Sequence, residues 1–157
     1  NGVLSASDGI ALGVGTANTA SNVLDDYEEG TWTPVFAFGG DSSGLSYSSN
    51  VASYTKVGNR VHTSGFVALT DKGTNTGNVT IAGFPFTVTN SNTAYAAAGI
   101  RLNQISFADS PSLGTIINTA TADLREITNA GSVTTLTNAN MTDTSYVLFS
   151  LSYQTDA

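Results

Sequence analysis

Carboxylates and a single imidazole are the side chains of this sequence that could serve acid–base or metal chemistry. Four carboxylates surround one tyrosine near residue 27, in the run LDDYEEGTWTPVFAF (24–38). Adjacent carboxylates can bind hard cations such as calcium, but this run lacks the spacing of an EF-hand loop. We therefore expect a solvated junction between an N-terminal arm and the domain that follows, formed by Asp25, Asp26, Tyr27, Glu28, Glu29 and Trp32.

The other candidates for catalysis stand apart from one another. His62 is the only histidine, and no serine–histidine–aspartate pattern accompanies it, so we expect it on the surface of a strand. Glycosidases need two carboxylates about 5 to 10 Å apart. The downstream acids close enough in sequence to consider are Asp109, Asp123 and Glu126. We expect no catalytic residue, no metal ligand set and no cofactor in this chain.

Composition narrows the classes of partner. The chain has 157 residues, enough for one domain and a short appendage. Its 5 basic and 12 acidic residues give a formal net charge of −7, and the basic residues are scattered. Nucleic acid and anionic membranes are therefore disfavoured as partners, because both require clustered Lys and Arg. Cysteine is absent, which excludes disulfides and thiolate sites.

The first 23 residues form an arm rich in Gly, Ala, Ser and Asn. Ile10, Leu12 and Val14 alternate with small residues, which predicts a short strand. Such a strand requires a partner from another chain or from a preceding domain. Two interpretations stay open, a flexible linker and a stem that intertwines with other copies. Because the first residue is Asn, we expect the chain to be a piece of a longer protein.

Residues 24–157 have the pattern of an all-β domain. Short alternating segments lie between turn signals about eight to twelve residues apart, which is typical of a sandwich or a barrel. Thr31 to Phe38 alternates and predicts one strand, and Pro34 indicates either a sheet edge or the first residues of a strand. The clearest hairpin joins residues 51–57 to 60–69 through Gly58–Asn59. Gly65 within its second strand indicates a bulge or a close neighbour.

The second half of the domain is less regular. Residues 94–103 contain several alanines, but Gly99 and the alternation that follows favour a strand over a helix. Residues 103–114 predict a short strand and a loop that contains Pro111. The segment 121–128 is ambiguous between a strand and a single helical turn. Residues 144–154 alternate cleanly, with an apolar face formed by Val147, Phe149, Leu151 and Tyr153.

Three motifs in order resemble a known family. LDDYEEGTWTP (24–34), YTKVGNRVH (54–62) and GNVTIAGFPF (77–86) are similar to the C-terminal head region of bacteriophage tail fibre and tailspike proteins. The resemblance covers residues 24–86 well, and residues 87–157 through the general β pattern and the final SLSY strand. None of the three motifs is catalytic.

The resemblance implies a homotrimeric head at the distal end of a phage tail fibre or spike in the virion. It implies an antiparallel, jelly-roll-like β-sandwich over residues 24–157, with residues 1–23 as a stem or linker. The implied partner is a bacterial surface polysaccharide or lipopolysaccharide. A surface poor in charge and rich in Ser, Thr and Asn suits sugar hydroxyls independently of the resemblance.

The motifs look architectural, so we expect the glycan-binding surface in the loops after residue 87. The candidate residues are Tyr95, Arg101, Phe107 and Asp109. Trp32 could stack on a sugar, but its place in the junction favours packing against a stem or another subunit. Two alternatives stay open, a trimerisation cap that binds no ligand and an accessory carbohydrate-binding domain of a depolymerising tailspike.

Overall fold

The structure is a computed structural model that describes residues 10–11, 23–24 and 26–156. Within these ranges it contains β-strands, two short 3-10 turns (Asn92–Ala94 and Asn138–Asn140) and no α-helix. The strands are β1 (Ile10–Ala11), β2 (Val23–Leu24), β3 (Tyr27–Trp32), β4 (Val35–Phe38), β5 (Ser46–Val57), β6 (Arg60–Asp71), β7 (Val79–Ala82), β8 (Gly99–Ile105), β9 (Ser110–Ile116), β10 (Thr121–Ile127), β11 (Val133–Thr135) and β12 (Met141–Gln154).

Two five-stranded antiparallel sheets make up the domain, as expected for a β-sandwich. Sheet one has the order β3-β5-β6-β12-β8. In sheet two, β4 pairs with β7 and β7 with β10, while β9 pairs along the other side of β10. β11 continues alongside β10 beyond the end of β7. The all-β prediction is confirmed. In the part of the chain that the structure describes, no helix has the length and apolar character needed to cross a membrane.

One hydrophobic core takes side chains from both sheets. The largest fully buried members include Tyr153 and Val147 of sheet one and Phe36, Ile81 and Leu124 of sheet two. We call the face of each sheet that contributes to this core its inner face, and the opposite side its outer face. Since side chains alternate along a strand, the alternating apolar pattern decides which residues of each strand lie on the inner face.

The predicted hairpin is confirmed, and it extends further than expected. β5 and β6 pair from Val57↔Arg60 at the turn back to Ser46↔Asp71. Gly58 has a φ of +56°, a backbone conformation that glycine adopts without steric cost. Gly65 leaves room for the ring of Phe149 on the neighbouring strand β12, so the close neighbour that its position indicated is present.

The single strand predicted over residues 31–38 is wrong. The chain instead leaves sheet one after Trp32 and enters sheet two at Val35. Thr33 and Pro34 form the crossing, and Pro34 is buried. Proline fits a crossing because it has no N–H to donate to a ladder. Alternation continues across both strands, and for this reason the sequence pattern did not reveal the change of sheet.

One further expectation needs correction in the second half, and one open question is decided there. Pro111 lies within strand β9, where it stands opposite Glu126, and not in a loop. The ambiguous segment forms strand β10 over Thr121–Ile127 without a helical turn, and its residues Ala122 and Leu124 alternate with polar residues and are fully buried in the core. The strand expected within residues 94–103 is present but begins only at Gly99.

The arm contributes one short pair of strands to the described residues. Ile10 pairs with Leu24, and Ala11 with Val23, in an antiparallel arrangement. The partner of this strand is therefore a later segment of the same chain, which corrects the expectation of another chain or a preceding domain. Leu12 and Val14 of the predicted strand, and Asp25 of the junction, lie outside the described residues.

Candidate functional site

A shallow concavity of about 360 Å³ lies on the outer face of sheet two. Strands β9, β10 and β11 and the segment before β8 surround it. Its wall residues combine one exposed aromatic, one ion pair, and small or aliphatic side chains: Tyr95, Ala97, Ser112, Gly114, Asp123, Arg125, Ile127 and Val133. We call this surface the Tyr95 concavity.

Strand alternation places the two charged residues on this face. In β10, Ala122 and Leu124 turn toward the core, so Asp123 and Arg125 project to the opposite side. Gly114 of β9 stands opposite Asp123. Gly114 has no side chain, and a Cβ there would lie 3.4 Å from the Ala96 carbonyl oxygen.

Asp123 and Arg125 form an ion pair in which both side chains can still make further hydrogen bonds. The Arg125 Nε–H donates to Asp123 Oδ2 at 2.5 Å, and a terminal guanidinium nitrogen lies at the same distance from that oxygen. Asp123 Oδ1 accepts no hydrogen bond from the described residues, yet it is not sealed from solvent. The Asp123 side chain is 9% exposed and that of Arg125 42%. The pair can therefore accept from one ligand group and donate to another.

Tyr95 forms the aromatic rim of the concavity and is 60% exposed. It directly follows the 3-10 turn Asn92–Ala94. A hydrogen bond from the Thr93 N–H to Ser91 Oγ caps the N-terminus of this turn. The next residues are held against β9. The Ala96 N–H donates to Thr115 Oγ1 at 2.9 Å, and the Thr115 N–H donates back to the Ala96 carbonyl at 2.9 Å. The tyrosine is thus exposed on a fixed backbone.

The four residues predicted to bind glycan do not converge. Of these four, Tyr95 alone lines the concavity in the described structure. Arg101 lies on β8 and contributes to a separate groove on sheet one. Phe107 and Asp109 are exposed in the loop between β8 and β9, where the neighbouring Ala108 N–H donates to Glu126 Oε2 at 2.7 Å.

Sequence analysis did not identify Asp123 and Arg125 as candidate binding residues. The signal that could have revealed them is the alternation of Ala122 and Leu124 with Asp123 and Arg125, which places both charges on one face once the segment is read as a strand. Sequence analysis considered Asp123 only as one of three acids that could serve a glycosidase, and it left open whether residues 121–128 form a strand or a helical turn.

The acidic junction is tied to the β5–β6 hairpin by side-chain contacts. The Asp26 carboxylate pairs with the Lys56 ammonium, and the Tyr54 hydroxyl donates to Glu28. The Tyr27 hydroxyl donates to Glu29 Oε2 at 2.8 Å, and this hydrogen bond raises the pKa of Tyr27. The junction residues Glu28 and Glu29 themselves are exposed, as the prediction of a solvated junction requires.

Trp32 packs inside its own domain. Its ring lies edge-on to Phe84 with centroids 5.1 Å apart, and 5.9 Å from the ring of Phe149. Its Nε1–H donates to Thr63 Oγ1 at 2.8 Å. The indole is therefore partly buried against the core of its own chain.

His62 and the acidic residues are not gathered into a shared centre. His62 is exposed on β6, as predicted. Among the residues described by the structure, no three His, Cys, Asp or Glu side chains are grouped so that they could hold a metal ion. Comparison of the chain with protein-family models, with curated proteins and with solved structures gives no match.

Proposed function

We propose that this chain is the distal head of a bacteriophage tail fibre or tailspike and binds a bacterial surface glycan without catalysis in this fragment. The proposal joins the motif resemblance of residues 24–86 to the geometry of the Tyr95 concavity. In this proposal residues 24–157 form a jelly-roll-like head, which assembles as a homotrimer in the virion, and residues 1–23 form its stem or linker.

The observation that carries the proposal is an exposed aromatic ring in the same concavity as an ion pair that can still make hydrogen bonds to a ligand. Sugar rings have an apolar C–H face that packs on an aromatic side chain, and hydroxyls that need both donors and acceptors. Tyr95 offers the ring, Asp123 Oδ1 offers the acceptor, and the half-exposed guanidinium of Arg125 offers donors. Hydrogen bonds to charged groups are the stronger ones, so this pair can fix the orientation of a hydroxylated ligand.

The size of the site limits what it can hold. Its volume of about 360 Å³ is at the lower end of the range of roughly 300 to 1,000 Å³ that is usual for ligand pockets. The concavity is therefore suited to a short segment of a glycan. A weak single site of this kind would gain avidity from three copies on one fibre end, provided that the copies can engage one polymer together.

The test is binding of the 157-residue chain to a panel of bacterial surface polysaccharides and lipopolysaccharides. We expect Tyr95→Ala and Arg125→Gln each to weaken binding about tenfold or more, because each removes an interaction worth at least about 1.4 kcal/mol. Arg60→Gln is the matched control, since Arg60 is an exposed arginine on β6, outside the concavity.

Three outcomes would contradict the proposal. Absence of binding to any glycan in the panel overturns the function. Loss of binding in Phe107→Ala with normal binding in Tyr95→Ala moves the site to the β8–β9 loop. Release of reducing ends from a bound polysaccharide would show that the fragment is itself an enzyme.

A further inference from the structure

The Tyr95 concavity has a second depression beside it on the outer face of sheet two. A row of directly opposed residues crosses the sheet from the segment before β8 to β7: Ala97, Gly114, Asp123 and Thr80. Residues directly opposite each other in an antiparallel sheet share a face. The first three of them line the Tyr95 concavity, and Thr80 lines a cleft of about 560 Å³. Only the spacing between β10 and β7 therefore separates the two depressions.

We call the second depression the glycine cleft, because three of its six wall residues are glycines. Its walls are formed by Gly39, Gly40, Gly77, Asn78, Thr80 and Thr121. At Gly39 and Gly77 two backbone segments touch, since a Cβ on Gly77 would lie 2.8 Å from the Gly39 Cα. A Cβ on Gly40 would meet no atom beyond its chain neighbours within 4 Å. The cleft is thus free of large side chains and open at Gly40.

The glycine cleft offers neutral hydrogen-bonding groups. Asn78 has an amide that donates and accepts, and Thr80 has a hydroxyl that does both. Among the described residues neither side chain has a hydrogen-bond partner, and neither polar group is sealed from solvent. Carboxylates and phosphates are bound most strongly by charged donors, which the wall of the cleft lacks. The cleft therefore suits the hydroxyls of an uncharged sugar.

Asp123 lies where the two depressions adjoin, and one of its oxygens is free to accept. The residue is 6% exposed, and Arg125 engages its Oδ2. A nearly buried carboxylate oxygen is costly to leave without a donor. A ligand that occupies both depressions passes Asp123, so one of its hydroxyls can donate to Oδ1.

We infer that the glycan site is a trough across sheet two, in which a chain of several sugars runs from Tyr95 over Asp123 into the glycine cleft, and that the segment in the cleft is uncharged. Neighbouring strands are about 4.8 Å apart, so the row from Ala97 to Thr80 spans about 14 Å, which exceeds one sugar ring. The inference rests on the proposed function and deepens it, because it names an oligosaccharide lying across the strands as the ligand.

The experiment measures how the affinity depends on the length of the glycan. The probe is the polysaccharide that binds most tightly in the panel, cleaved by partial acid hydrolysis and separated by length, and calorimetry gives the Kd of each fragment for the 157-residue chain. We expect affinity to rise with length until the trough is filled. Raising the salt concentration should leave this gain unchanged, because the cleft has no charge for salt to screen.

Thr80→Trp blocks the cleft with an indole. We expect it to weaken binding of the long fragments about tenfold or more, because the ligand loses its hydrogen bonds to both Asn78 and Thr80. The shortest fragment that binds the wild type should bind this variant equally, since it occupies the Tyr95 concavity. A misfolded variant would lose both, so the short fragment serves as the control for folding.

Two smaller changes identify the hydrogen-bonding groups. Thr80→Val and Asn78→Ala should each weaken binding of the long fragments about threefold to tenfold and leave the shortest fragment unaffected. Thr55→Val is the matched control, because Thr55 is also half-buried but lies on β5 of the other sheet. It should bind every fragment as the wild type does.

The outcomes separate this inference from the proposed function. If no polysaccharide binds, both fail. If Tyr95→Ala weakens binding but affinity does not rise with length, or the rise survives Thr80→Trp, the trough is wrong and the Tyr95 concavity stands alone. If Thr80→Trp abolishes binding that Tyr95→Ala leaves intact, the glycine cleft alone is the site and the trough is again wrong.

The smaller changes decide the case in which the indole also blocks the shortest fragment. Normal binding of the long fragments by both Thr80→Val and Asn78→Ala then overturns the inference.

Discussion

The indole Nε1–H of Trp32 donates a hydrogen bond of 2.8 Å to Oγ1 of Thr63, a residue with no solvent exposure. The same hydroxyl donates to the Ser53 carbonyl at 2.8 Å. Thr63 therefore connects three neighbouring strands of sheet one, since Trp32 lies on β3, Ser53 on β5 and Thr63 itself on β6. A tryptophan packed against a core needs a partner for its N–H, and here a threonine hydroxyl supplies it.

The first prediction concerns this hydroxyl. Thr63→Val keeps the shape of the side chain but leaves the indole N–H and the Ser53 carbonyl without their partner. We expect the free energy of unfolding to fall by about 1–3 kcal/mol, the usual cost of an unsatisfied buried polar group. Urea denaturation measures the change. Thr70→Val is the control, because Thr70 is exposed on the same strand; equal effects at both positions would contradict the role of the bond.

A second prediction follows from the contact between Gly65 and Phe149. A Cβ on Gly65 would lie 2.5 Å from Phe149 Cζ and 2.8 Å from the Cβ of Ala52, which is closer than such atoms approach. Gly65→Ala should therefore destabilise the fold by about 1–3 kcal/mol through overpacking. In Gly99→Ala the nearest atom would be the Ser150 carbonyl oxygen at 3.9 Å, so this control should stay near wild type.

Thermal unfolding of a double variant tests the cause. Phe149→Leu removes the ring that Gly65 accommodates, so adding Gly65→Ala to it should cost less than the same substitution costs in the wild type. Additive losses in the double variant would show that the ring is not the source of the strain.

A third prediction concerns the ion pair between Asp26 and Lys56. Lys56 is 7% exposed, its ammonium lies 5.6 Å from the ring centre of Phe86, and the Asp26 side chain is 40% exposed. Asp26→Asn leaves a buried cation without its carboxylate, whereas Lys56→Met fills the same space with an apolar chain. We expect Asp26→Asn to cost about 1–2 kcal/mol, reduced from the fully buried case by the exposure of Asp26.

Chemical denaturation of the two variants decides this point. Lys56→Met should be less destabilised than Asp26→Asn, and Asp109→Asn, in an exposed loop, should not differ from wild type. If Lys56→Met were the more damaging change, the attraction between the charges would outweigh the cost of burying the cation, contrary to the prediction.

The fourth prediction is a loss of stability at alkaline pH. Burial raises the pKa of Tyr153, whose hydroxyl donates to the Phe86 carbonyl at 3.1 Å, and burial also raises the pKa of Tyr47. An unfolded tyrosine ionises near pH 10 while the folded one keeps its proton, so above that pH the unfolded state binds fewer protons. The contribution of these tyrosines to stability is therefore constant below about pH 10 and falls above it, by up to about 1.4 kcal/mol per pH unit for each tyrosine that keeps its proton in the folded state.

Tyr153→Phe isolates the contribution of one ring. At pH 8 the variant should be less stable by about 1 kcal/mol, because it loses the hydrogen bond to Phe86. Above pH 10 its stability should fall less steeply than that of the wild type. Urea denaturation from pH 8 to pH 11 gives both slopes, and parallel slopes would show that Tyr153 does not cause the alkaline loss.

Local patterns predicted the elements whose partners are near in sequence. The hairpin of β5 and β6 was predicted because Gly58–Asn59 joins two alternating runs directly. The prediction that Val147 and Tyr153 lie on the buried face of β12 was correct because alternation alone decides which residues share a face. The division between β3 and β4 was missed because both strands alternate in the same way. Only their pairing partners distinguish the two sheets, since β3 pairs with β5 and β4 pairs with β7.

The candidate site depended on contacts that no local pattern encodes. Tyr95 was named from the sequence as one of four candidate residues after residue 87. Its proximity to Arg125 requires β9 to pair with β10 and also Ala97 to bridge to Gly114. The segment of β10 contains Ala, Leu, Arg and Glu, which favour helices in isolation, so burial in the core overrides the intrinsic preference there.

The position of β12 in sheet one has a consequence for the order of folding during synthesis. β12 lies between β6 and β8, so it pairs with both, although it follows them in the chain by tens of residues. Until the ribosome has released residues 141–154, β6 and β8 each present an open edge that another nascent chain can occupy. Sheet one is thus completed only after β12, the last strand in the chain, has emerged, so the pairings of β12 with β6 and β8 are contacts of long sequence separation that form late.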